Sequence, residues 1–207
     1  MAENLPPSPL SRAERQARTR AALVASARQV FARDGFHGAN LTAIAREAGL
    51  TKGAVYSNFD SKADVFLAVL DDDLADVEPE SWDPAARFAS FPNLGGEGVR
   101  SPGLTPEVRE AVGFGLATVE FATAAARDQD LSDALSERLG LMLTGYEAMA
   151  RRGRRGDDTS SAEQLGSMLM AFDQGASILY LFGQMSIDAD TLREMMQRML
   201  RPGEEEV

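Results

Sequence analysis

The stretch LTAIAREAGLTKGAVYSNFDSKADVF, Leu41 to Phe66, constrains the fold more than any other. Two short helical patterns meet in it at a single glycine, Gly49. Helices joined so tightly must cross at close range, which calls for a small residue in the first, a glycine in the turn and a branched apolar residue in the second. Ala45, Gly49 and Val55 stand at that A-x3-G-x5-V spacing, and Ile44, Ala48, Leu50, Tyr56 and Phe59 can complete a small core around the crossing. The spacing predicts a helix-turn-helix. The outer face of its second helix holds Thr51, Lys52, Gly53, Tyr56, Ser57 and Asn58. Hydroxyls, an amide and a cation are groups that reach phosphate oxygens and base edges, while glycine lets the backbone come close. The helix has no arginine, so bidentate reading of guanine is not evident.

The flanks are helical as well. Leu23, Ala27, Val30 and Phe31 recur at helical spacing within a first helix over Ser11–Arg33, ended by DGFHG with Gly35 at its C-terminus. A second helix spans Thr42–Ala48 with Thr42 as its N-cap, and a third, capped by Thr51, runs to about Asn58. Ser61 opens a capping box with Asp64, and a fourth helix carries on towards Val77. From Glu78 to Leu104 the periodicity fails around Pro79, Pro84, Pro92 and Pro102, leaving a long connection with a short helix at Ala85–Ala89. Patterning resumes with Thr105 as a cap and Pro106 in the first turn, continues to about Arg127, restarts over Leu131–Arg152, then over Ala162–Phe182, and ends over Ala189–Leu200 with Asp188 as a cap. Strand alternation and internal repeats are missing. The expected fold is all-α, with about nine helices.

Charge narrows the partners. A net charge of −11 opposes a polyanionic ligand, yet it is unevenly spread: Met1 to Phe66 holds 9 Lys+Arg against 6 Asp+Glu, leaving 12 against 26 in the rest. The apolar run Ile178–Phe182 is far short of the roughly 20 residues a membrane helix needs. The N-terminus lacks the apolar segment of a secretory signal, so a cytoplasmic chain with a disordered arm over residues 1–11 is expected, and no membrane partner. With no cysteine and only His37, thiolate zinc sites, cysteine nucleophiles, Ser-His-Asp chemistry and the paired Glu-x-x-His of di-iron bundles all fail. No enzyme, metal or cofactor is expected.

Between Arg12 and Leu70 the chain resembles the DNA-binding domain of TetR-family transcriptional regulators, above all over ARQVFARDGFHGANLTAIAREAGLTKGAVYSNFDSKADVF. The resemblance implies phosphate contacts from Thr42, Lys52, Tyr56 and Lys62, and positions nearest the bases for Thr51, Gly53, Ser57 and Asn58. Many members carry histidine where this chain has Asn58. It also implies a three-helix DNA-binding domain over 12–60, and a ligand-binding and dimerisation domain over 61–207 that begins with a connecting helix over 61–77. In many members the last two helices pair with their copies as a four-helix interface. Leu165, Met168, Leu169, Phe172, Ile178, Leu179, Leu181 and Phe182 agree, since they cover more helix surface than one internal seam requires. The expected partners are double-stranded operator DNA, a second copy of the chain and a small-molecule effector.

Several residues carry two readings. Phe114, Phe121, Met142, Tyr146, Met149 and Phe172 line an effector pocket or are plain core, and Glu120 among them meets a cationic ligand or an arginine, or is simply exposed. Trp82 and Phe88 close over a ligand or anchor the long connection. Arg12, Arg15, Arg18 and Arg20 form a solvated charged arm or an extension that follows DNA. The function expected is a sequence-specific DNA-binding repressor released by a ligand. The alternative is a helix-turn-helix regulator whose second domain only dimerises or binds a protein.

Overall fold

In the computed structural model, residues 11–75, 78–88, 103–154, 159–183 and 189–200 are described. They form eight α-helices and one 3-10 helix, and no strand among the described residues: α1 Arg12–Gly38, α2 Leu41–Glu47, α3 Lys52–Tyr56, α4 Lys62–Leu74, the 3-10 helix Pro84–Phe88, α5 Pro106–Ala125, α6 Gln129–Gly153, α7 Ala162–Leu181 and α8 Ala189–Leu200. No helix among them is long and apolar enough to cross a membrane.

The helix starts are set by side chains that accept orphan amide hydrogens of the first turn. Ser11 with Glu14, Ser61 with Asp64 and Ser161 with Gln164 make reciprocal capping boxes, and Thr51, Thr105 and Asp128 cap singly. One expected cap is corrected. Asn40, not Thr42, caps α2: its side chain accepts from the Ala43 N–H at 2.9 Å, so the helix begins a residue earlier and Thr42 falls inside its first turn. The expected break after Arg33 is also modified. Gly35 leaves helical geometry at φ 71°, but the chain makes a further turn to Gly38, so the element continues across a kink. The expected cap Asp188 lies outside the described residues.

Two apolar clusters share α5. Leu23, Ala27, Val30 and Phe31 of α1 pack with Ile44, Ala45, Val55, Phe59 and α4, and with Phe114, Ala117, Phe121 and Ala125 from the second half of α5. Val108 and Val112, earlier in α5, belong instead to a cluster with Tyr146, Leu165, Leu169, Tyr180, Leu192, Met196 and the 3-10 helix residue Ala85. The α1–α5 crossing is so close that a Cβ on Gly113 would stand 2.2 Å from the Ala32 carbonyl oxygen. Only glycine fits there without moving a backbone.

Candidate nucleic-acid interface

The α2–α3 turn is built as its spacing requires. Ile44, Ala45, Val55 and Phe59 are buried, and Gly49 takes φ +66°, a conformation that an L side chain resists. The Gly49 N–H donates to the Arg46 carbonyl and the Leu50 N–H to the Ala45 carbonyl, closing the turn. With the apolar residues inside, the polar ones of α3 face out.

Of the eight residues expected at DNA, Thr42, Thr51, Lys52, Gly53, Tyr56 and Ser57 are exposed. Tyr56, expected also to help fill the little core, is 52% exposed and lies beneath the Lys52 ammonium, 5.6 Å from its ring centroid. Contact with the ring face holds the cation forward. Thr51 Oγ1 accepts from the Ala54 N–H at 3.2 Å, which leaves its hydroxyl proton to donate outward. Ser57 has the opposite polarity, its hydroxyl donating to the Ala54 carbonyl at 3.0 Å.

Asn58 and Lys62 are placed differently from the rest. The Asn58 amide donates to the Ala54 carbonyl at 2.8 Å and to Ser57 Oγ at 3.3 Å, so both N–H groups serve the end of α3 and only its side-chain oxygen is left. The Lys62 ammonium donates to the carbonyls of Phe36, Ala39 and His37 at 2.6, 3.0 and 3.1 Å and sits over the Phe36 ring. It therefore caps the end of α1, and burial lowers its pKa from the ordinary lysine value while Glu120 opposes the shift. Arg20, counted with the N-terminal arm by sequence, belongs here too. Its guanidinium lies 4.2 Å from the Phe59 ring centroid and donates to the Asn58 carbonyl at 3.0 Å. The signal was present: Arg20 precedes the buried Leu23 by three residues, on the same face of α1.

The seven residues expected around an effector do not line one cavity; Met149, half-buried, lines a separate small cleft with Trp82 and Leu200. Phe114 and Phe121 are buried in a ring cluster centred on Phe66, at 5.3 and 4.6 Å between centroids. Tyr146 is buried between α6 and α7, where its hydroxyl donates to the buried Asp173 carboxylate at 2.5 Å. Met142 is half-buried beside Gln174, and Phe172 is 37% exposed. Glu120, expected to meet a ligand or an arginine or to be simply exposed, is half-buried and accepts from the His37 N–H at 3.0 Å, tying α5 to the end of α1. Trp82 packs edge-on against Tyr146 at 4.5 Å and so anchors its segment; the side chain of Phe88 lies outside the described residues. A cleft of about 830 Å3 does open between α1 and α5, lined by Ala32, Asp34, Leu104, Glu110, Leu116 and Glu120 among others.

Residues 23–69 match the model of the bacterial regulatory proteins of the tetR family. Over this segment, less than a quarter of its length, the chain is similar to the tetR family. The stretch is 43% identical over 54 residues to the HTH-type transcriptional repressor BepR of Brucella suis biovar 1 (strain 1330), covering 26% of each chain. It is 46% identical over 52 residues to the HTH-type transcriptional regulator SrpR of Pseudomonas putida, covering 25% of this chain and 24% of that one. The match thus spans about a quarter of these relatives' length. The tetR fold itself extends further. A crystal structure of a putative TetR-family regulator from Rhodococcus sp. superposes with a TM-score of 0.61 at 20% identity, over 87% of this chain and 95% of that one. Native NalD of Pseudomonas aeruginosa does so with a TM-score of 0.56 at 21% identity, over 91% and 100%. Beyond the tetR domain the likeness is one of fold alone.

Proposed function

We propose that the protein is a homodimeric, sequence-specific DNA-binding transcriptional regulator, acting as a repressor. One observation carries the reading: a glycine-turned helix pair presents Thr51, Lys52, Gly53 and Tyr56 to solvent from the part of the chain in which cations outnumber acids. Thr42, Lys52 and Tyr56 hold phosphate oxygens, and Thr51, Gly53 and Ser57 come nearest the bases. Lys62 and Asn58 position this surface from behind. BepR, named a repressor, supports the direction of control. The reading is tested by selecting binding sites on the purified protein and then measuring the chosen operator against salt. Lys52→Ala with Tyr56→Ala should weaken binding and flatten the log–log salt slope by about 0.9 for each phosphate no longer neutralised; unchanged affinity and slope would refute the assignment.

Dimerisation through α7 and α8 is supported by an exposed apolar stripe. Met168, Phe172, Leu179 and Phe182 are exposed at positions i, i+4, i+11 and i+14, one face of α7. Pairing them with a second copy sets two reading heads at a fixed separation, about 34–36 Å or a multiple of it. A monomer by sedimentation at micromolar concentration would refute the pairing. Release of repression follows if a small molecule favours another separation, and about 1.4–2.8 kcal/mol of differential affinity suffices for ten- to hundredfold. The α1–α5 cleft has the size of such sites and is lined by α1, which packs against α2, and by α5.

One observation favours a second reading, in which the C-terminal helices only dimerise. The residues expected around an effector are spread over two packed clusters and the surface. A small-molecule thermal-shift screen without a hit, beside intact operator binding, would select it. Neither reading requires catalysis.

A further inference from the structure

The first three turns of α1 stand clear of the core. From Ser11 to Ala22 every residue but the half-buried Thr19 is exposed, and Leu23 is the first one buried. This overhang of about 16 Å, at 1.5 Å per residue, is nevertheless regular helix, closed by the Ser11–Glu14 capping box and rich in Ala, Arg and Gln. Its register is informative. The buried stripe Leu23, Ala27, Val30 of α1 extends backwards, at intervals of three and four, through Arg20, Gln16 and Arg12. The face that is apolar over the core therefore becomes basic where the helix overruns it. Arg20 shows what that face looks onto, because its guanidinium is already at the end of α3 on Phe59 and the Asn58 carbonyl.

Beyond Arg20 the stripe continues into solvent on the side of the reading head. Arg15 lies about 60° from Arg12 around the axis, at i+3. Three other cations of this part of the chain are occupied, Arg28 by Asp73, Arg33 by Asp34 and Glu47, and Lys62 by three carbonyls, while Arg18 and Arg46 are exposed. Glu14, the acid within the overhang, is held by the capping box. Arg12 and Arg15 are exposed and meet no acid among the described residues.

We infer that the overhanging stripe of α1 is a second DNA-contact surface, in which Arg12 and Arg15 grip backbone phosphates of the duplex flanking each half-site. This rests on the DNA-binding reading above and answers a need it leaves. α3 offers one cation, Lys52, while the chain as a whole carries −11, so phosphate attraction must come from outside the reading helix. The contacts carry no base information; they add affinity and set register.

The test uses the full-length protein and its selected operator as two duplexes, one with long flanks and one trimmed by about five base pairs at each end, the reach of a 16 Å overhang at about 3.4 Å per base pair. Arg12→Gln with Arg15→Gln should leave the urea unfolding midpoint unchanged, since both side chains are exposed. On the long duplex it should flatten the salt slope by about 0.9 for each arginine removed, about 3.6 for the four of a dimer. On the trimmed duplex variant and wild type should bind alike. Wild-type affinity on the long duplex with no change in the variant, or an equal loss on both duplexes, would overturn the flanking contact alone. Failure of the wild type to bind any selected duplex would overturn the DNA-binding reading with it.

Discussion

Replacing Lys62 by Met separates two roles for one residue. The resemblance makes Lys62 a phosphate contact, whereas the structure sets its ammonium on the carbonyls of Phe36, His37 and Ala39. Methionine keeps the length and the apolar stem and removes the three N–H donors. A hydrogen bond from a charged donor is worth about 1.5–3 kcal/mol, but these three share one half-buried ammonium, and water can reach the vacated carbonyls. Releasing an ordered lysine side chain also returns up to about 2 kcal/mol of conformational entropy. The net loss should be about 1.5–2.5 kcal/mol, read from urea unfolding at one fixed protein concentration because a dimer's stability depends on it. Operator affinity, measured under conditions where the variant is folded, should keep its salt slope. Unchanged stability together with a slope lower by about 0.9 per site would refute the capping role and restore the phosphate contact.

Other consequences can be checked in the same assays. Gly113→Ala forces a Cβ against the Ala32 carbonyl at the α1–α5 crossing and should cost about 3 kcal/mol or prevent folding, since neither backbone can yield cheaply. Gly49→Ala, with open space around it but φ +66°, should cost about 1–2 kcal/mol from backbone strain alone. Tyr146→Phe takes a donor from the buried Asp173 and should lower stability by about 1–3 kcal/mol. Tyr146→Phe with Asp173→Leu should cost less than the two single changes summed, the sign that they act as a pair. Leu179→Glu, on the exposed stripe of α7, should give a folded monomer in sedimentation and at least tenfold weaker operator binding.

Local chemistry was legible in the sequence wherever it repeats at short range. The Ala45–Gly49–Val55 crossing, the caps at Ser61 and Thr105, and the all-helical course follow from spacings of three to ten residues, which a single chain displays openly. The cap at Asn40 was misplaced onto Thr42 because both residue types can accept an amide hydrogen three positions on, and only the backbone angles of the entering chain choose between them. Phe114, Phe121 and Tyr146 matched the composition of a pocket equally well as that of a core. Their partners Phe66 and Asp173 lie tens of residues away.

By itself, then, the sequence determined that this chain is helical, that residues 41–66 make a tight helix pair with a polar outer face, and that its cations gather at that end. Periodicity, turn chemistry and charge are properties of neighbours along the chain. Tertiary structure decided which cations are free: Lys62 and Arg20 were drawn onto carbonyls and rings 23 to 39 residues distant, Glu120 onto the His37 amide, while Arg12 and Arg15 were carried past the core on a helix longer than its apolar stripe. A charged side chain has the same formula in either place, and only the packing of α1 against α3, α4 and α5 fixes whether its hydrogen bonds are spent inside the protein or left for a phosphate.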